Sequence, residues 1–220
     1  VNGANKGSLF QNSISGLGGL TVNGSGNTTL SLYGTQSYSG ATRVSGGKIS
    51  SGVALATSGV TIDGGTFETS AANILGNSAS VSLTSGTYSL GGNDTIGSLT
   101  MSGGTLSGSA TLSAGSYALN GGTVGANLGS GSLTVGGSTS TTLAQDTTLD
   151  LTALASTTIN TSTTGTLRVN PPSGTNINGA KATLLLPTPV VADTVATATV
   201  TAGTIAVGNA GQFASQAGQI

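Results

Sequence analysis

The sequence predicts an all-β protein built as a single elongated parallel β-helix (β-solenoid) with coils of about 18–21 residues. Three observations carry this prediction. Apolar residues alternate with Thr, Ser or Asn in short runs, as in strands that turn one face inward. Glycine-containing turns separate these runs. The strand-and-turn unit recurs at a spacing below the roughly 33 residues that helical repeats need. This spacing excludes helical repeats and favours coils of β-strands stacked on one another.

Composition favours regular β-structure over disorder. The 220 residues include 38 Gly, but the apolar fraction is 35%, the mean hydropathy is +0.22 and the net charge is −1. Disordered chains instead combine low hydrophobicity with high net charge. Aromatic residues make up 3% of the chain and Trp is absent. A thin core of stacked aliphatic side chains therefore fits better than a wide globular core.

The composition also excludes several kinds of chemistry. The chain has no Cys and no His, which removes disulfides, thiolate metal sites and Ser–His or Cys–His catalysis. Its five basic residues are scattered, so nucleic-acid binding is not expected. The most apolar run, 182–207, is interrupted by Pro187, Pro189 and Asp193. Membrane insertion of this segment is therefore not expected either.

Residues 1–13 are polar apart from Leu9 and Phe10, and we interpret them as an irregular N-terminal coil or cap. From residue 14 the β-helix repeats begin. Alternation is clear from Leu20 onward, and turn signals such as Asn23-Gly24 and 45–47 separate the strands.

The internal repeat is carried by a glycine turn followed by Thr or Lys and then an apolar residue. The second glycine of each turn recurs at intervals of 18 to 21 residues: Gly47, Gly65, Gly86, Gly104 and Gly122. Two columns of inward residues are predicted on either side of the turn: Val44, Ile62, Leu83, Met101 and Leu119, and Ile49, Phe67, Tyr88, Leu106 and Val124.

The glycine turns thin out after Gly137, although 141–170 still alternates. We therefore assign 14–170 to the β-helix repeats. Pro171 and Pro172 break the pattern, because proline donates no backbone N–H to a ladder. Residues 171–220 are interpreted as an irregular C-terminal β segment that serves as a cap or as an assembly element.

The segment Ile14 to Ile49 resembles the autotransporter-associated β-strand repeat, also called the passenger-associated transport repeat. The matching stretches are the opening ISGLGGL, TVNGSGNTTLSLYG, TQSYSGAT and the closing VSGGKI. The resemblance covers about 36 residues and implies a right-handed β-helix in an autotransporter passenger domain, secreted to the bacterial cell surface or beyond it. The family includes adhesins, and the repeat offers no catalytic residues to transfer.

Carboxylates are sparse. Asp63 and Glu68 lie five positions apart across a glycine turn. Two nearby carboxylates suggest the hypothesis of a catalytic pair, as in a polysaccharide lyase or hydrolase. A calcium site is a second hypothesis, at Asp94 or at Asp146 with Asp150. Calcium needs six to eight oxygen ligands, which argues against it. Solvated turns are the simpler interpretation of these residues. The acids are Asp63, Glu68, Asp94, Asp146, Asp150 and Asp193.

Two further surfaces are candidate binding faces. The four tyrosines, Tyr33, Tyr38, Tyr88 and Tyr117, are candidates for a sugar-binding face. However, Tyr88 and Tyr117 occupy inward positions of the repeat, and Tyr38 falls on its structural motif. A row of hydroxyl side chains suggests an ice-binding face as a further hypothesis. An ordinary pleated outer surface explains the row more simply. The row consists of Thr42, Thr61, Ser82, Thr100 and Thr134.

The sequence therefore predicts a non-enzymatic extracellular structural or adhesive β-helical protein. We expect no catalytic, cofactor-binding or metal-binding residues and no cofactor. The expected partners are host-surface or matrix glycans or proteins, and end-to-end self-association into a head-to-tail filament. The alternative function is a β-helix enzyme acting on polysaccharides.

Overall fold

The computed structural model describes residues 7–137 and a series of strands beyond them, and it describes side chains for 7–131 and for Leu133. The described residues are all-β with no helix, and their strands stack in parallel as a β-solenoid of about 7 turns. The predicted fold class is confirmed. The strands beyond residue 137 are 141–143, 148–150, 156–161, 167–169, 182–186, 190–192, 198–200, 203–207 and 213–215.

The strands are short because glycine turns interrupt them, and only three exceed eight residues. In chain order they are β1 Gly7–Phe10, β2 Ile14–Gly16, β3 Leu20–Asn23, β4 Thr29–Leu32, β5 Gln36–Tyr38, β6 Thr42–Gly46, β7 Lys48–Ser51, β8 Gly59–Thr69, β9 Ser80–Leu90, β10 Asp94–Met101, β11 Thr105–Gly108, β12 Thr111–Leu119, β13 Gly122–Val124, β14 Asn127–Leu128, β15 Ser132–Gly137, β16 Thr141–Leu143, β17 Thr148–Asp150, β18 Ser156–Thr161, β19 Leu167–Val169, β20 Ala182–Leu186, β21 Val190–Ala192, β22 Ala198–Val200, β23 Gly203–Val207 and β24 Phe213–Ser215.

Each coil contributes to three parallel ladders, which we name faces A, B and C. Face A contains β1, β4, β7, the second halves of β8 and β9, β11, β13, β16, β19 and β22. Face B contains β3, β6, the first halves of β8 and β9, the second halves of β10 and β12, β15, β18, β21 and β24. Face C contains β2, β5, the first halves of β10 and β12, β14, and then the ladder β17–β20–β23.

The two predicted inward columns are confirmed residue by residue. On face B, Val44 pairs with Ile62, and the column continues through Leu83 and Met101 to Leu119. On face A, the pairs run Ile49–Phe67, Phe67–Tyr88, Tyr88–Leu106 and Leu106–Val124. All ten side chains are fully buried. Because no single coil buries its own inward side chains, the core exists only through stacking.

The repeated glycine marks the corner between faces B and A. Gly86 has a φ of 82°, and a Cβ added there would lie 2.2 Å from the carbonyl oxygen of Gly65 in the preceding coil. Gly104 has a φ of 71° and would meet the carbonyl oxygen of Gly86 at 2.8 Å. The corner therefore needs glycine for both its conformation and the close backbone approach between coils.

Face C is the least regular ladder. In the coil that contains β8, a single bridge joins Gln36 to Leu55. The next coil is held by the hydrogen bond from the Leu55 N–H to the Ile74 carbonyl, at 2.8 Å. Face C also carries two buried polar residues, Gln36 and Asp94, in positions that other coils fill with leucine.

Parallel pairing extends beyond both predicted boundaries. Strand β1 pairs in register with β4, so residues 7–10 belong to the ladder of face A. Strands β20 to β24 continue the three ladders as far as Ser215. No end of the pairing coincides with residue 171, and Pro171 and Pro172 lie outside the described residues.

Candidate functional site

The paired-carboxylate candidates are each engaged by a base from the preceding coil. The Arg43 guanidinium donates from Nε to Oδ2 of Asp63 at 3.0 Å and also donates from its terminal nitrogen. The Lys48 ammonium donates to Oε2 of Glu68 at 2.6 Å, and the Ser50 hydroxyl donates to Oε1 at 2.9 Å. In both pairs the base precedes the acid by 20 residues, about one coil.

The contacts of Glu68 do not favour the acid that glycoside cleavage needs. The hydrogen bond from Lys48 lowers the pKa of Glu68, and the smaller effect of burial only partly opposes it. A general acid requires a raised pKa, so that the carboxyl group keeps its proton near neutral pH. Salt bridges between adjacent coils are the role that Asp63 and Glu68 have in the structure.

Asp94 is the one charged residue in the buried set of the described side chains, with 2% of its surface exposed. Its Oδ2 accepts the backbone N–H of Leu75 at 3.1 Å, and its Oδ1 accepts that of Thr95 at 2.9 Å. Burial raises its pKa, and the backbone hydrogen bonds oppose that rise. The carboxylate thus holds the irregular loop 70–79 against the next coil.

Asp94 is one of the calcium candidates. Among the described residues no group of three or more His, Cys, Asp or Glu side chains is placed to hold a metal ion. The other calcium candidates, Asp146 and Asp150, and the remaining acid Asp193 lie outside the part of the chain whose side chains are described.

Three of the four candidate tyrosines are core residues. Tyr38, Tyr88 and Tyr117 are 1%, 0% and 1% exposed. The Tyr117 hydroxyl donates to the carbonyl oxygen of Leu112 at 2.7 Å, and burial raises its pKa to about 12. Burial also raises the pKa of Tyr88, whose hydroxyl has no hydrogen-bond partner. Only Tyr33 faces solvent, so these residues form no aromatic binding face.

The hydroxyl row predicted for the outer surface contains one error. Thr42 is fully buried and pairs with Val60, whereas its neighbour Arg43 pairs with Thr61 on the outside. The Thr42 hydroxyl lies 2.6 Å from the Tyr38 hydroxyl and donates to Thr57 at 3.0 Å. This internal network satisfies the buried Thr42 hydroxyl. Thr42 points inward because it lies two positions before the inward Val44.

The outer row of face B runs through residues in register. Its members are Thr21, Arg43, Thr61, Ser82, Thr100 and Ala118, and the backbone register continues at Thr134. A second row lies two positions earlier on the same strands and contains serine in four consecutive coils: Ser80, Ser98, Ser116 and Ser132.

Face A carries a hydroxyl row that the sequence interpretation missed. The Thr that follows each glycine turn pairs with its counterpart in the next coil, giving Thr66, Thr87, Thr105 and Thr123 in register. Ser89 and Ser107 form a parallel row two positions later. The sequence signal for this row is the Thr that recurs directly after the glycine turn.

The hydroxyl-bearing part of both faces is nearly free of charge. Between residues 69 and 145 the sequence contains one charged residue, the buried Asp94. Neighbouring parallel strands lie about 4.8 Å apart, so the rows form a lattice of neutral hydrogen-bonding groups. Chemically, this surface can donate and accept hydrogen bonds along the solenoid axis without an ionic contribution.

Among the described residues no helix is long and apolar enough to cross a membrane. Comparison with known proteins yields no relative: no family model matches the chain, and no curated protein and no solved structure matches it significantly.

Proposed function

We propose that the protein is a non-enzymatic structural and adhesive protein outside the cell that acts by presenting its hydroxyl-bearing faces to other surfaces. The observation that carries the proposal is the pair of hydroxyl rows on faces A and B, in a stretch with no exposed charge. The extracellular location rests on the resemblance of residues 14–49 to the passenger-associated transport repeat.

The chemistry of these faces favours a neutral polysaccharide as the adhesive partner. Hydroxyl side chains match the hydroxyl groups of sugars as donors and acceptors. A charge-free contact gains little from ion pairing, so its affinity should change little with salt. The salt bridges at Asp63 and Glu68 give no support to the polysaccharide-cleaving alternative.

A binding assay tests the proposal. The full chain is mixed with insoluble neutral polysaccharides, with anionic polysaccharides and with immobilised matrix proteins, at low and high salt. We expect retention on a neutral polysaccharide at both salt concentrations. Replacing Thr87 and Thr105 by Lys on face A should weaken retention by about tenfold, a loss of about 1.4 kcal/mol.

The matched control is Asn77→Lys with Ser78→Lys, which adds the same two charges at exposed loop positions outside both rows. It should bind like the wild type. Retention on none of the materials would overturn the adhesive proposal. Release of reducing sugar that Asp63→Asn or Glu68→Gln abolishes would establish the enzyme instead.

A further inference from the structure

The threonine that follows each glycine corner belongs to an uninterrupted column on face A. The members pair in register from coil to coil: Thr66, Thr87, Thr105 and Thr123, with the backbone register continuing at Thr142. Neighbouring coils lie about 4.8 Å apart, so the column repeats one side chain at that interval along the solenoid axis. The branched Cβ of threonine restricts χ1, which holds the hydroxyl and methyl groups in a repeating arrangement.

The protein does not use the hydroxyl groups of this column for its own hydrogen bonds. The inward hydroxyls of Thr42 and Thr57 hydrogen-bond inside the core. The column hydroxyls, and those of Ser89 and Ser107 beside them, make no hydrogen bond to any part of the chain that the structure describes. The column side chains are half-buried, so their outer atoms reach solvent. Their hydrogen-bonding capacity is therefore available to a ligand.

The surroundings of the column restrict the class of ligand. Ser89 and Ser107 lie two positions after Thr87 and Thr105, about 6.6 Å further along the strands. The one charged residue between positions 69 and 145 is the buried Asp94, so an ionic ligand finds no partner in these coils. A sugar ring carries neutral hydroxyl groups on both of its edges. Such a ring, lying across the two rows, can hydrogen-bond to both of them.

The column also favours one direction for a chain of sugars. Pyranose units joined by β-1,4 linkages form an extended chain, and each unit lengthens it by a distance close to the coil spacing of about 4.8 Å. A chain along the solenoid axis therefore meets the same side chain in every coil. A chain laid across the strands soon leaves face A, because β11 ends at Gly108 and β13 ends at Val124.

We infer that face A binds a linear, extended chain of neutral β-1,4-linked sugars along the threonine column, with about one sugar unit per coil. This inference rests on the proposed adhesive function and names its ligand and the orientation of that ligand. Tyr88 is buried and cannot stack on a sugar, so each unit gains only a few hydrogen bonds. One hydrogen bond changes affinity by about two- to tenfold, so firm binding requires contact over several coils.

The test titrates the full chain with β-1,4-linked glucose oligosaccharides of two to about six units, followed by calorimetry or NMR. Oligosaccharides of α-1,4-linked glucose carry the same groups on a curved chain and are the ligand control. We expect affinity for the β-1,4 series to rise about two- to tenfold with each added unit until the chain spans the column. The α-1,4 series should show no such rise.

The variant Thr105→Lys interrupts the column in its middle with a charge and a longer side chain. It should weaken binding of the longest β-1,4 oligosaccharide by at least about tenfold. The control Thr95→Lys makes the same substitution at an exposed position of face C and should bind like the wild type. Circular dichroism of both variants establishes that the β-solenoid is folded.

Equal affinity for short and long chains, equal binding of the two series, or unchanged binding by Thr105→Lys would overturn the inference. Sedimentation velocity of the protein alone identifies a different occupant. A dimer that Thr105→Lys dissociates would assign the column to a second copy of this chain and would also overturn the inference. Retention on an insoluble neutral polysaccharide alongside any of these results leaves the adhesive function in place, whereas failure to bind any polysaccharide refutes both.

Discussion

At the scale of single residues, the glycines of the B–A corner are constrained by close backbone contact with the preceding coil, and several of them also by a left-handed φ. Gly86 combines a left-handed φ with a 2.2 Å approach of its would-be Cβ to the carbonyl oxygen of Gly65. Neither the conformation nor the contact can relax through a side-chain movement, since both involve backbone. The corner thus fixes the distance between successive coils.

Gly86→Ala should therefore destabilise the protein by about 2–4 kcal/mol, from backbone strain and the clash together. Gly76→Ala is the matched control, because its φ is not left-handed and a Cβ there meets no atom within 4 Å. It should change the free energy of unfolding by less than about 0.5 kcal/mol. Urea unfolding measures both, and equal effects would contradict the account of the corner.

The buried carboxylate of Asp94 contributes to stability in a way that depends on pH. Asp94→Ala should lower the free energy of unfolding by about 1–3 kcal/mol, because the buried N–H of Leu75 and the partly buried N–H of Thr95 lose their acceptor. The raised pKa of Asp94 means that its contribution is largest below the ordinary aspartate pKa of about 3.9. The contribution decreases as pH rises through the pKa of the folded state.

The stability difference between wild type and Asp94→Ala should therefore be larger at about pH 3.5 than at about pH 7. Glu68→Gln provides the opposite control. Since Lys48 lowers the pKa of Glu68, that side chain stabilises the fold above its ordinary pKa of about 4.3 and less as pH falls. Thermal unfolding of both variants across this range measures the two signs, and the same sign for both would refute the assignment.

At the scale of elements, the register of β6 decides which of two adjacent residues enters the core. Shifting a strand by one residue exchanges its two faces. Here Thr42 points inward and Arg43 outward, although apolar residues fill the Thr42 position in the following coils. The inward threonine is accommodated because Tyr38 and Thr57 hydrogen-bond to it.

Thr42→Val keeps the shape of the side chain and removes its hydroxyl. It should cost about 1–3 kcal/mol, because the buried Tyr38 hydroxyl loses its partner. Thr100→Val, at an exposed position of face B, should have less than about 0.5 kcal/mol effect. Denaturant unfolding compares them, and a neutral Thr42→Val would show that the hydroxyl network contributes nothing.

The sequence predicts those elements whose inward residues are apolar and whose corner is a glycine turn. The columns that start at Val44 and Ile49 satisfy both conditions, and every predicted pair is found. Face C fails the first condition, because Gln36 and Asp94 point into the core and are hydrogen-bonded there. The polarity of these two residues alone predicts that they are exposed. The ion pairs were missed because a spacing of 20 residues identifies neighbours only once the coil length is known.

At the scale of the whole molecule, a solenoid is nearly one-dimensional, because each coil contacts only its neighbours. The register pairs Thr105 with Thr123 and Met101 with Leu119, and both pairs differ by 18 residues. Removing one such period should therefore join the chain at an equivalent point of the next coil. Cooperativity should survive the loss of a coil but not the loss of part of one.

Deletion of residues 105–122 tests this property. Thr123 then follows Gly104 at the B–A corner, Leu128 takes the place of Leu112 against Asp94, and Leu133 takes the place of Tyr117. We expect a folded β-solenoid, shorter by about 4.8 Å, with a lower free energy of unfolding because one coil-on-coil interface is lost.

Deletion of 105–113, half that length, is the control. It brings residues of faces C and B to the place of face A, so glycine turns and inward columns no longer align between coils. This variant should lose the cooperative unfolding transition and the protection of β15 amides in hydrogen exchange, whereas the 105–122 deletion should keep both. If the two deletions are equally stable, the stacking register does not determine the fold, because only the longer one preserves it.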